Sequence, residues 1–387
     1  DALARFDPPP TVDELSTLVY AEGQLSADFA MKNAELVVLH VWDSSPARVV
    51  SHDPATRTLR LAPACIYPPG ALGVREYYVL NLREGMTKPG QWYLDRERER
   101  MVYWPLPSED PNRCLVEAPA VTTLVRVEGE VDHPVADLTL RGLSFDLTAL
   151  EVGVAAGMWA EALAGAVQLR HARDCRLADL VVRRAGGQGI KLNHADHVTV
   201  ERCDIAHVGA NGIAFNTGAH NTIAANRVRH VGEMHTNAVG IHGIYWSYGR
   251  IANNEVSDCS YSGITLCNGN RKEPLPAENL IENNHVWNVM KALNDGGCIY
   301  LSWSQRGTII RGNRLHGSHG RTGFCAIGLY LDIDVEGVTC EHNLVYDAAG
   351  PLHVHMAKHN VIRNNTFICG PQGGISFENS GDCVFER

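Results

Sequence analysis

The sequence has no Cys-x-x-Cys pair, no apolar run approaching the 18 or so residues of a membrane span, and no basic-then-apolar leader within its first thirty residues. A zinc knuckle, a thioredoxin-type dithiol and a membrane helix are thereby excluded. Cationic residues are also in deficit. There are 34 Lys and Arg against 44 Asp and Glu, giving a formal charge of −10, and nucleic acid would have to be held against that field. Helical patterns of about 10–15 residues are missing between the short apolar strands of the repeat. The chain begins at Asp1 without methionine and stops at Arg387 part-way through a recurring pattern. Both ends are therefore expected to be trimmed, and the missing leader decides little. The composition, 45% hydrophobic and 20% charged over 387 residues, suits one or two folded domains with a continuous core. The eleven cysteines fall largely at apolar positions, where Cys acts as a small hydrophobe.

A repeat dominates from about residue 136 onward. A short unit, often Asn-x-apolar, recurs at Asn226, Asn254, Asn284, Asn313, Asn343 and Asn365, with Asp179 and Cys203 taking the same place upstream; the spacings are 24, 23, 28, 30, 29, 30 and 22 residues. Each step is one coil of a solenoid. A second element follows in every coil, an alternating strand after Gly189, Gly212, Gly263, Cys298, Gly328, Pro351 or Gly374, with the Gly or Pro read as a turn marker. Short strands without intervening helices predict an all-β parallel β-helix, and the recurrent Asn is read as a buried ladder of amide hydrogen bonds. Residues 1–135 read as a small β-rich module packed on the helix. It has hairpins around Arg48–Leu61 and Trp92–Trp104, and a short helix begun by a Thr11 cap with Glu14 three residues on.

Aligning the strands gives two outward columns. One is Lys191, Ala214, His242, Thr265, Tyr300, Tyr330, His353, Ser376; the other is Asn193, Asn216, Ile244, Cys267, Ser302, Asp332, His355, Glu378. Their C-terminal halves are polar and aromatic, the composition of a sugar-binding face. Most coils run 9 to 11 residues from the Asn position to the strand, but those at Asn226, Asn284 and Asn313 run 15, 15 and 16. Loops are therefore expected over 229–240, 287–298 and 315–327, carrying Glu233, His235, Asp295, His319 and Arg321. Hydrolysis of a glycosidic bond needs a proton donor and a second carboxylate. Asp332, outward beside His355, and Asp295, folded back over the face by the turn at Gly296-Gly297, form the expected catalytic pair. Glu378 is the reserve. His353 and His355 are expected to contact substrate, with Tyr300, Tyr330 and Trp303 as a platform and Glu233, His242, His319 and Asp334 as further contacts. Asp334 could equally cap a turn.

The stretches Pro89–Asp95, Tyr103–Pro105, Asn294–Tyr300, Gly307–Thr308, Gly328–Asp332 and His355–Asn365 together resemble the parallel β-helix glycosidases of glycoside hydrolase family 141. The resemblance covers roughly residues 35–387. It implies a secreted, extracellular or periplasmic bacterial enzyme of fucosidase or xylanase type, acting on plant, algal or bacterial glycans, with its two catalytic aspartates at Asp295 and Asp332. Where such proteins read Leu-Asp-Glu-Gly, this chain has Leu331-Asp332-Ile333-Asp334, and the group's opening coil is missing, which fits a trimmed N-terminus. Carbohydrate is the expected partner, with no nucleic acid, membrane or metal. Two other readings compete. A polysaccharide lyase would use His355, Lys358 and Arg321, with Ca²⁺ as the conceivable ion; a non-catalytic glycan-binding β-helix would leave both aspartates idle.

Overall fold

A computed structural model describes residues 7–26, 29, 31–151, 156–269, 277–323, 325–371 and 373–387. The chain divides into two compact units, one of residues 1–118 with 152–157, the other of residues 119–151 with 158–387. The first holds a five-stranded antiparallel sheet in the order Thr17–Val19, Thr58–Ala62, Ser44–Asp53, Glu35–Leu39, Tyr77–Leu80. Alternating burial puts Leu18, Leu36, Val38, Val49, Leu59 and Leu61 into its core. Both expected hairpins are present. So is the helix, Val12–Leu15, where Thr11 and Glu14 cap each other reciprocally.

The second unit is a stack of parallel strands in three sheets of eleven, ten and nine strands. Parallel pairing begins upstream of the expected residue 136, because Val125–Glu128 already pairs with Gly165–Arg173. Inward residues such as Ile190, Leu192, Ile205, Ile223, Leu301 and Leu329 are fully buried. Asn226, Asn254, Asn284, Asn313, Asn343 and Asn365 form the ladder, each Nδ2 donating to the Oδ1 of the next at 2.9 to 3.0 Å. Cys203 precedes them, its backbone N–H donating to Asn226. One register differs from expectation. Val181 pairs with Asp204, so Leu180 occupies the Asn place, while Asp179 lies one residue earlier at a half-buried bend between Arg141 and Arg202.

The glycines before the strands do a different job from the expected turn. Gly212 has ordinary backbone geometry, but a Cβ there would lie 2.3 Å from Val228 Cγ1 and 2.6 Å from the Gly240 carbonyl oxygen. The facing sheet's valine fills the space a side chain would need. Gly212→Ala is accordingly expected to lower stability by about 1–3 kcal/mol through overpacking, read as a drop in the urea midpoint.

The bends are made by single left-handed residues stacked in register. One column runs Asp174, His197, His220, Tyr248, Glu278, Gly307, Gly337, His359; a second runs Asp179, Arg202, Ala225, Asn253, Asn283, Gly312, His342, Asn364; a third runs Arg184, His207, His230, Asp258, Asn288, Gly317, Asp347. Every one has φ between 45° and 77°. Because only a few of these positions are glycine, the corners carry little of the usual turn signature.

Candidate functional site

The eleven-stranded sheet has the register expected from the sequence. Lys191, Ala214, His242, Thr265, Tyr300, Tyr330, His353 and Ser376 pair in succession. In the neighbouring column the Asp332 N–H donates to the Leu301 carbonyl, and His355 pairs with Glu378. Adjacent strands lie about 4.8 Å apart, which brings side chains of successive coils into contact.

Asp332 is buried, with 5% of its surface exposed. Its Oδ2 accepts from the Tyr300 hydroxyl at 2.8 Å and its Oδ1 meets His355 Nδ1 at 2.6 Å. Asp295 is half-buried, and its Oδ1 accepts from the Tyr330 hydroxyl at 3.1 Å. The bend expected of Gly296-Gly297 is made instead by Asp295 itself, at φ 60°. The two glycines continue as the strand Gly296–Ser302, where a Cβ on Gly297 would meet the Ile327 carbonyl oxygen at 2.4 Å. The Tyr261 hydroxyl donates to the Asp295 carbonyl and helps hold this bend.

Tyr300 and Tyr330 depart from their expected role as a platform. Both are buried, 8% and 2% exposed, and their rings meet edge to face at 5.1 Å. What they offer is a pair of hydroxyls, one for each aspartate. Burial pushes both phenols well above their ordinary range, and the charges of Asp332 and Asp295 push further, so they remain donors. His353 stacks on His355 at 5.6 Å and 8° and reaches Ser376 Oγ through Nδ1 at 2.7 Å. Burial lowers its pKa, as does the neighbouring His355. Trp303 is half-buried at the strand's end. Asp334 is exposed at φ 57°, a bend residue.

Three expected contacts are engaged elsewhere. His242 lies fully buried beside Trp159, ring centroids 5.1 Å apart, with Nδ1 on Thr265 Oγ1 at 2.5 Å. It is two coils from Tyr300 and presents no open surface to a substrate. Glu233 turns to His207 on the nine-stranded sheet, 2.9 Å away. His319 pairs with Asp347 at 3.2 Å. His242 is a strand residue, whereas Glu233 and His319 lie in the overlong coils and find nearer partners at a corner of the stack.

Two residues of the site were not singled out from the sequence. Asn294 is buried and accepts from the Thr322 N–H and hydroxyl at 3.1 and 2.9 Å, tying the loop over 287–298 to that over 315–327. Cys325 is pushed up to about 12 by burial first and then by the charges of Asp295, Asp332 and Glu378; it stays a thiol among three acids.

Burial also sets a pH response. It lowers His242 to about 3 and His235 to about 4, against about 6.5 in an unfolded chain. Below about pH 6.5 the unfolded chain takes up protons that the folded one refuses. This contribution to stability is complete above that pH and is lost as pH falls toward about 4. Stability is expected to fall across this window by up to about 1.4 kcal/mol per pH unit for each histidine, read as a falling urea midpoint. His242→Gln should flatten the slope.

The family model for a right handed beta helix region matches residues 165–325, and with the three parallel sheets it makes this chain a right-handed parallel β-helix. A solved glycoside hydrolase is similar over 94% of this chain and 70% of its own, at 19% identity and a TM-score of 0.70. XylC in complex with xylose aligns over 93% of this chain and 70% of its own, at 11% identity and a TM-score of 0.48. The GH136 lacto-N-biosidase from Eubacterium ramulus aligns over 64% of this chain and 49% of its own, at 14% identity and a TM-score of 0.44. No curated protein matches the chain.

Proposed function

We propose that this protein hydrolyses glycosidic bonds, using Asp295 and Asp332 as its two carboxyl groups. The observation that carries this reading is the paired arrangement on successive coils: two aspartates, each fixed by the hydroxyl of one of two touching tyrosines. Asp332 Oδ2 accepts from Tyr300 and its Oδ1 meets His355 Nδ1, which fixes the carboxyl group in place. Asp332 is assigned as the nucleophile or the base for water, and Asp295, at the bend before its strand, as the donor to the leaving oxygen. With Nδ1 on Asp332, His355 has Nε2 to offer a sugar hydroxyl. The similar glycoside hydrolase fold supports the reading, and the family 141 resemblance points to the fucosidase or xylanase type acting on plant, algal or bacterial glycans.

The test is hydrolysis of a panel of aryl glycosides and polysaccharides, with Asp295→Asn and Asp332→Asn as controls. New reducing ends from a polysaccharide that fall by about 10²-fold or more in both variants are expected. An unsaturated, ultraviolet-absorbing product from a uronate polymer, formed equally well by Asp295→Asn, would assign the chain to the lyases instead. If wild type and variants alike bound glycans without turnover, the non-catalytic reading would stand.

A further inference from the structure

The long loop after Asn226 brings Glu233 to a place with no role in the proposed hydrolysis. His207 and His230 occupy adjacent positions in the third corner column, their rings stacked at 4.4 Å and 10°. Glu233 reaches His207 Nδ1 at 2.9 Å. One donor atom from each of the three side chains lies within 4.8 Å of the others, and among the described residues this is the one such group of three or more His, Cys, Asp or Glu. Stacked histidines alone would mean little here. His171 with His194, and His197 with His220, stack in the same manner at 4.8 and 4.7 Å. Those pairs follow from histidines sharing a column of left-handed residues. What distinguishes His207 and His230 is the carboxylate delivered by an overlong coil.

We infer that His207, His230 and Glu233 form a surface site for a divalent transition-metal ion of the zinc type. Two imidazole nitrogens and one carboxylate oxygen are a donor set that suits Zn²⁺, whereas Ca²⁺ takes oxygen ligands almost exclusively. Ligands about 2.0–2.1 Å from a tetrahedral ion lie roughly 3.3 Å apart. His207 and Glu233 already stand 2.9 Å apart, and the widest separation, within 4.8 Å, would have to close by at most about 1.5 Å on that geometry. Rotation of exposed side chains can supply this: His207 and Glu233 each have 48% of their side-chain surface exposed. The backbone is already set, since the two histidines are held by parallel pairing of Asp204–Val208 with Arg227–Val231. Water would complete the coordination. The ion would tie two coils and the loop between 231 and 240 together, on the nine-stranded sheet rather than the sheet that carries Asp332.

The test is calorimetric titration of the chelator-stripped full chain with Zn²⁺, alongside His207→Asn, His230→Asn and Glu233→Gln. Asn is chosen because it tolerates a left-handed backbone, so the corners keep their shape. His285→Asn is the comparison, because it dismantles another histidine pair, in which the Nε2 atoms of His285 and His316 lie 2.9 Å apart. One zinc per chain is expected, unaffected by excess Ca²⁺ and by His285→Asn. Each of the three site variants should weaken it by about tenfold or more. Absence of zinc binding, or binding that survives His207→Asn and Glu233→Gln unchanged, overturns the site. Glycosidase assays of the same variants are separate, so failure here leaves the proposed hydrolysis untouched.

Discussion

Asp332→Asn and Asp295→Asn are each expected to lower kcat by about 10²- to 10⁴-fold, the range over which a positioned acid or base acts, while the fold is kept. The amide in Asp332→Asn can still accept from Tyr300, but it cannot accept at both positions, so one of its two contacts, to Tyr300 or to His355, must reorganise. For Asp295 the loss is of the transferable proton itself, with the contact to Tyr330 still available. The two variants should part company on activated substrates. An aryl glycoside with a good leaving group needs little protonation, so Asp295→Asn should retain much more activity on it than on a natural glycan, and Asp332→Asn should not. Measuring kcat on both substrate types checks the assignment of roles. Equal, small losses in both variants would remove the pair from the chemistry.

The second large effect falls on the ladder. Asn284→Ala is expected to cost about 3–5 kcal/mol of stability, since each buried polar group left without a partner costs about 1–3 kcal/mol. The substitution strands the backbone N–H of Asn254, one of that residue's side-chain protons and the Ile251 carbonyl's side-chain donor. Asn365→Ala should cost much less, because its contacts are only part-buried and water can replace them. Chemical denaturation of the pair separates a buried ladder from generic loss of polarity. As coils contact mainly their neighbours, the loss is expected to appear as a broadened transition as well as a lower midpoint.

The stack was legible because its signal is repeated: Asn at one place and alternation at another fix the register of every outward residue, including Asp332, His355 and Glu378. The coil lengths likewise located the long loops. The details within those loops were not legible, for physical reasons. Glu233, His319 and Asp295 sit in single-copy segments with no period to read, and their partners are chosen by corners that the sequence hides. A left-handed position occupied by His, Arg, Ala or Asp looks like any strand residue. The glycines misled in the opposite direction. Gly212 looks like punctuation, yet it is there because the valine of the opposite sheet occupies the space. The tyrosines show the same difficulty for the site: alternation says which way they point, but not that their hydroxyls serve the acids.

The left-handed corners also grade the local resistance to opening along the stack. A non-glycine residue in that conformation costs roughly 1 kcal/mol, and the coil from Gln188 to Val208 bears four, His194, His197, Arg202 and His207. The coil that begins with Tyr300's strand turns its three corners at Gly307, Gly312 and Gly317, which adopt it without that penalty, and bears one left-handed non-glycine residue, Trp303. Breathing motions, and with them amide exchange with solvent, are therefore biased away from this coil and toward those whose corners are not glycine. Asp295 itself, and Asp334, His342 and Asp347 in the coil after Asp332, bear the left-handed cost, so the two carboxyl groups flank the least strained corners rather than sit on them.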